Sequence, residues 1–308
     1  MTARLALASL FLVAGVLARP WQSTTERWVL GVSIAAVVLL LAWWGGMFLT
    51  TRVSRYFGLW WRNLRKSGQQ PQPVDAETVV LRVDPAAPAQ LPVVVSYLDR
   101  YGIRCDTVRL THRDAGGTRR SWISLTVSAV DNLDALRARS ARIPLRETTE
   151  IVGRRLADHL REQGWTATLV DGVDAPLPDP SKESWRAVAD DAGYVAAYRV
   201  AVDDQLDTVL AEIAGADAQE SWTVLEFTGS PARPQLVVGA AIRSQDKPSR
   251  KAPLAGLTPL GGRHRPALAA LDPLSAHRLD GVAVAVPRTL LAQRSVEHEL
   301  PQEAGHPA

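Results

Sequence analysis

The sequence predicts an α+β protein in two parts. An N-terminal two-helix transmembrane hairpin, with spans at about residues 4–20 and 28–51, precedes a cytosolic α+β domain over residues 76–290. Three observations carry this expectation. Residues 28–51, WVLGVSIAAVVLLLAWWGGMFLTT, hold no charge; as one helix they measure about 36 Å, enough for a hydrocarbon core of about 30 Å. Six of the ten tryptophans lie in the first 61 residues, as expected if indole rings mark a membrane interface. From residue 76 onward, short β-rich runs alternate with helical periodicities, the pattern of an α+β domain.

The first span rests on residues 5–18, LALASLFLVAGVLA. This run is short for a crossing and also fits the core of a signal peptide. Thr2, Ala3, Arg19 and Pro20 extend it if both flanking arginines snorkel to the interface, and an uncleaved span is the preferred reading. Arg52, Arg55, Arg62, Arg65 and Lys66 follow the second span with no acidic residue among them, whereas the loop between the spans offers Arg19, Glu26 and Arg27. The positive-inside rule therefore places both termini and the main domain of this multi-pass protein in the cytoplasm.

Residues 52–75 form a neck. Val53, Tyr56, Phe57, Trp60, Trp61 and Leu64 recur at the spacing of one helix face. The basic residues occupy the other side. Such a helix suits the inner headgroup layer or the surface of a neighbouring subunit. Arg52, Arg55, Tyr56, Phe57, Trp60 and Trp61 are accordingly the candidate membrane or partner contacts. Residues 67–75, SGQQPQPVD, have the composition of an extended tether, and residues 291–308 that of a flexible tail.

In the domain, residues 78–83 alternate as a strand. Residues 89–101 suit a helix, with Pro92 in its first turn and Gly102 as its stop. Residues 103–111 and 121–128 read as strands around Gly116 and Gly117. Residues 147–163, with Ile151, Val152, Leu156 and Leu160, form a helix closed by Gly164, and residues 165–170 a strand. This is a βαββαβ order, the ferredoxin-like pattern. A Pro- and Asp-rich connection follows. Then come a strand at 194–202, a helix at 203–214 capped by Asp203 or Asp204, strands at 221–227 and 235–242, a short helix at 266–271 and a strand at 281–286. The order is compatible with two ferredoxin-like halves, 76–172 and 190–290, or with one α+β domain lacking internal symmetry.

The chemistry is largely exclusionary. The one cysteine, Cys105, permits no internal disulfide and no multi-cysteine metal site. None of the four lysines follows a glycine, so no phosphate loop exists, and GxGxxG, HExxH and GxSxG are absent. His112-Arg113-Asp114 has the letters of a kinase loop, but Arg119 stands where the magnesium-ligand asparagine belongs. The six histidines lack metal spacing. A net charge of +3 is too weak to indicate nucleic acid. No catalytic residue, metal or cofactor is expected. Asp190-Asp191 and Asp203-Asp204 are paired carboxylates that can bind a cation but also serve as loop and cap residues. Within Gly261-Gly262-Arg263-His264-Arg265, the glycines would allow close backbone approach, and Arg263 and Arg265 could hold an anion or a partner.

The N-terminal stretch ARLALASLFLVAGVLARPWQ…RWVLGVSIAAVVLLLAWWGGMFLTTRVSR, together with LAGLTPLGGRHRPALAAL at 254–271, resembles the EccE family of the type VII (ESX) secretion system. The wording is most similar to the iron-acquisition branch, the third of the mycobacterial ESX systems. The resemblance implies a non-enzymatic core subunit of an inner-membrane complex with EccB, EccD and the ATPase EccC. That complex exports WXG and PE/PPE proteins, here in support of siderophore-mediated iron uptake. The alternatives are a membrane-anchored enzyme and a small-molecule sensor with an unrecognised site.

Overall fold

The computed structural model describes residues 2–17, 23–41, 43–44, 47–65, 72–84, 91–140, 142–287 and 290. The tail 291–308 lies outside the described residues. The chain divides into two compact units, Met1–Lys66 and Ser67–Ala308.

The first unit contains α1 (Thr2–Leu17), α2 (Thr24–Leu41), a two-residue ladder of β1 (Trp43–Trp44) and β2 (Met47–Phe48), and α3 (Leu49–Arg65). α1 packs on α2. The expected hairpin of spans at 4–20 and 28–51 is corrected here. Among the described residues no helix is long and apolar enough to cross a membrane. α1 has 16 residues, about 24 Å of helix. α2 starts before the apolar run, taking in Glu26 and Arg27, and stops at Leu41. The chain then pairs Trp43 with Phe48 and Trp44 with Met47. Gly45 and Gly46 stand between the paired residues in sequence, and each glycine disfavours a continuous helix by about 1 kcal/mol. Apolar residues cover the outside of this unit: Leu10, Leu12 and Leu17 on α1, and Trp28, Val32, Ile34 and Val38 on α2, are exposed, while Ala8 and Ser33 are buried.

The second unit runs β3 (Ala76–Asp84), α4 (Leu91–Ser96), β4 (Asp99–Arg100), β5 (Ile103–Ala115), β6 (Thr118–Ser128), α5 (Leu133–Arg139), α6 (Leu145–Glu162) and β7 (Thr166–Val170). It continues with β8 (Lys182–Glu183), β9 (Val188–Asp190), β10 (Gly193–Val200), α7 (Leu206–Ala214), β11 (Glu220–Ser230), β12 (Arg233–Ser244), β13 (Leu257–Pro259), α8 (His264–Leu271) and β14 (Val284–Ala285). The domain is α+β, built on one antiparallel sheet in the order β7-β3-β6-β5-β11-β12-β10-β9-β8. The path β7-β3-β6-β5 is the order a βαββαβ unit produces. β5 joins β11, and β11-β12-β10 repeats three of the four positions in reverse across that seam.

Period-2 alternation assigns the two faces. Leu225 and Phe227 face one side with Leu81, Leu125 and Val238, under α4, α6 and α7. Trp222 and Val224 face the other with Trp122, Val195 and Ala241, under α8. Gly153 lets α6 lie close on β3, since a Cβ there would meet Val79 at 3.0 Å. The β5–β6 turn is closed by Gly116 and Gly117, both at positive φ, as a two-residue hairpin requires.

The second half departs from the expected order. α8 packs on the face opposite α7, because Gly239 admits Leu271 there; a Cβ would meet its Cδ2 at 2.9 Å. The strand expected at 281–286 is reduced to β14 and pairs with β12, while β13 and β9 take the place beside β10. Gly281 lies against Val237 of β12, where a Cβ would clash at 2.5 Å, so the chain is held over β12. The helix expected at 89–101 ends at Ser96 and gives way to β4, with Ala89 and Gln90 outside the described residues. The N-cap of α7 is Gln205 rather than Asp203 or Asp204; Asp203 instead accepts the Gln205 N–H through Oδ1 at 3.0 Å, forming the preceding turn. At the end of the expected tether, Gln72 accepts the Ala276 N–H at 2.9 Å.

Candidate functional site

α3 places the aromatic candidates on one face because they recur every three or four residues. Val53, Tyr56, Phe57, Trp60, Trp61 and Leu64 are all between 44% and 61% exposed. The Phe57 ring lies 5.7 Å from Trp60 and 6.2 Å from Trp61, and the two indoles are 6.4 Å apart. An aromatic cluster therefore points outward. Arg52, Arg55 and Arg62 are half-buried on the other side, and each is engaged by neighbours. The outer face of α3 is thus apolar rather than basic.

Arg263 and Arg265 belong to the other unit and are bonded inside it. Arg263 precedes α8 and pairs with Asp280 at 2.9 Å. Arg265 donates its backbone N–H to Glu183 at 3.2 Å, and its guanidinium to the Ser181 carbonyl and hydroxyl at 2.6 and 2.9 Å. The glycines before them admit a tryptophan rather than a ligand: a Cβ on Gly261 would lie 3.0 Å from Trp185 Nε1, and Gly262 donates its N–H to the Trp185 carbonyl at 3.0 Å. His264 is fully buried. Its Nδ1 accepts the Ala197 N–H at 3.0 Å and its Nε2 faces the Trp185 carbonyl at 3.2 Å. That pair of partners suits the neutral ring with the proton on Nε2, and burial pushes its pKa down to about 4. The segment is a clasp that fastens α8 to residues 181–185. Gly261→Val should drive Trp185 from its seat and lower stability by about 1–3 kcal/mol; an unchanged denaturation midpoint would contradict the clasp.

Several of the other sequence candidates are also committed internally. Asp190 pairs with Arg243 at 2.8 Å, while Asp191 is exposed. Among the described residues no group of His, Cys, Asp or Glu has the arrangement of a metal site. Cys105 is buried, and burial pushes its thiol up to about 12, which suppresses the reactive thiolate. His112 hydrogen-bonds Ser121 at 2.6 Å. Grooves of about 300, 370, 430 and 450 Å³ indent the second unit, and none of the four is lined by the paired aspartates or by residues 261–265.

Sequence reasoning missed the most heavily bonded group. Arg109 of β5 stands opposite Glu226 of β11, at the seam of the sheet. Both side chains are almost wholly buried, 1% and 2% exposed. Arg109 donates from Nε and Nη2 to Glu226 Oε2 at 2.9 and 2.6 Å. It also donates to the carbonyls of Ser275 at 2.7 Å, Ala270 at 3.3 Å, and His277. All five guanidinium N–H groups are used. Glu226 in turn accepts the Leu279 N–H at 3.1 Å. Residues 270–279 are thereby held to the centre of the sheet. The available signal was a glutamate flanked by Leu225 and Phe227 in a strand whose neighbours all face a core.

Residues 115–200 match the family described as "Putative type VII ESX secretion system translocon, EccE". The ESX-3 secretion system protein EccE3 of Mycolicibacterium smegmatis is 71% identical over 310 residues, covering the whole of both chains. The protein of that name from Mycobacterium tuberculosis strain H37Rv is 45% identical over 289 residues, covering 90% of this chain and 87% of the relative. On full-length similarity of this order, the chain belongs to the EccE family of the type VII (ESX) secretion systems, in its ESX-3 branch.

Proposed function

We propose that the chain is a non-catalytic structural subunit that attaches to the inner membrane through its first unit and braces the ESX membrane complex with its second. The observation that carries this reading is the outward aromatic face of α3, in a unit whose α1 and α2 also expose apolar side chains. Water penalises such a surface at about 25 cal/mol per Å². Tyr56, Phe57, Trp60 and Trp61 enter the interfacial layer of the membrane, and Arg52 and Arg55 stiffen α3 from behind. The second unit stays cytoplasmic and docks on EccB, EccD or the ATPase EccC. Export of WXG and PE/PPE proteins in support of siderophore-mediated iron uptake is the purpose of that assembly. The polar groups that chemistry would need, His264, Asp190 and Arg265 among them, are instead spent on internal bonds.

The test is a double variant, Trp60→Ala with Trp61→Ala, in the full-length chain. Gentle extraction of the tagged wild type should recover a particle far larger than 33.5 kDa that contains an ATPase. The variant should be lost from that particle while its second unit keeps its melting temperature. Unchanged co-purification of the variant would sink the docking role of α3.

One observation favours the sensor reading. A groove of about 430 Å³ brings the apolar side chains of Tyr198, Ile242, Pro253 and Leu254 together with the charged groups of Asp217, Asp246, Lys247 and Lys251, a mixed lining that could orient a polar ligand. A ligand-dependent rise in melting temperature, abolished by Ile242→Trp, would support it.

A further inference from the structure

The turn between β4 and β5 joins Arg100 to Ile103 through two residues, Tyr101 and Gly102. Both have positive φ, 56° and 70°, so this is the tight hairpin turn that favours Asn-Gly or Gly-Gly. Tyr101 is the one non-glycine residue at positive φ among the described residues. A tyrosine there costs about 1–2 kcal/mol relative to glycine. Its ring is nonetheless half exposed, at 50%. Two guanidiniums lie over it, Arg155 at 4.8 Å and Arg100 at 5.2 Å from the ring centre; Arg100 also lies 5.1 Å over Tyr97 and donates to the Ser96 hydroxyl at 2.9 Å. A groove of about 450 Å³ opens beside them. Among the described residues no carboxylate pairs with Arg155, although Asp158 and Glu162 share its helix, and Asp158 is taken by Arg161.

One side of the ring packs edge-on against the buried Tyr97, at 6.3 Å between ring centres, which braces the strained turn, while the other half stays open beside the two cations and is free for contact. Exposed tyrosine and arginine at one point are the residue types that anchor protein interfaces. Arg263 and Arg265, unlike Arg155, are consumed within the fold. We propose that the Tyr101 tip is where the second unit docks on another chain of the secretion assembly, the ring edge entering an apolar notch and Arg100 and Arg155 meeting carboxylates of an acidic segment. This rests on the subunit reading above.

The test uses the full-length chain in its native assembly, with a photo-crosslinking phenylalanine analogue at position 101. The expected result is a crosslink to one other chain of the purified particle, within a peptide bearing Asp or Glu, that disappears in the Arg155→Glu variant. Tyr101→Asn, which suits the turn, should hold or raise the melting temperature while lowering recovery in the particle about tenfold. An intact particle with no crosslink to another chain, a crosslink to a peptide without carboxylates, or full recovery of Tyr101→Asn would each overturn this docking site and leave the subunit reading standing. Failure of the wild-type chain to co-purify with any partner would overturn both.

Discussion

Replacing Arg109 with Ala lowers the stability of the second unit by about 3–5 kcal/mol, the cost of stranding a buried charge. Glu226 would keep its carboxylate in the core with the Leu279 N–H as its remaining partner, and the carbonyls of Ala270, Ser275 and His277 would lose their donor. Glu226→Ala should cost a similar amount for the mirror reason. The double variant Arg109→Met with Glu226→Leu should recover much of the loss, because neither charge is then buried. It should not recover all of it, since the carbonyls of Ala270, Ser275 and His277 remain without the Arg109 donor, each at about 1 kcal/mol or more. Denaturant unfolding of the four proteins tests this. Additive single and double effects would show that the pair is not coupled.

Mild acid should destabilise the same unit through His264. In the unfolded chain a histidine binds its proton below about pH 6.5. In the fold, burial outweighs the opposing pull of the Trp185 carbonyl and keeps the ring neutral down to about pH 4. The unfolded state therefore holds more protons in this window, and stability falls as pH falls from about 6.5 toward about 4. One such group contributes about 1.4 kcal/mol per pH unit and about 3 kcal/mol in all. His112 acts in the same direction: burial first, then Arg119, pushes its pKa to about 4. It retains some accessible surface, so its share is the smaller. Asp272, whose carboxyl is raised by burial, opposes the trend at the acid end. Unfolding free energies between about pH 7 and pH 5 should fall in the wild type. His264→Gln should flatten that slope while starting from a lower stability. A slope that is the same in both proteins would remove His264 as its source.

Some of this was legible in the chain and some was not. α6 was, because Val152, Leu156 and Leu160 repeat at helical spacing and Gly164 closes the run. The β5–β6 and β11–β12 hairpins were, because their alternation and turn residues act over a few positions. The face of α3 that carries Tyr56, Phe57, Trp60 and Trp61 was legible for the same reason. The apolar run at 28–51 misled, since hydropathy averages over a window and does not register where a helix stops. Gly261 and Gly262 were recognised as a point of close approach, but not that Trp185, some 76 residues earlier in the chain, would occupy it.

Periodicity and turn chemistry determined most of the longer strands and helices of the second unit, because those forces operate between neighbours in sequence. The sheet decided the rest: that α8 covers the face opposite α7, that β13 and β9 displace the expected last strand, and that Arg109 meets Glu226 across the seam. Apart from the local β9–β10 hairpin, each of these depends on contacts between residues tens to more than a hundred positions apart. Whether a polar side chain faces solvent, a partner or a buried counter-charge is settled only when strands distant in sequence are brought side by side.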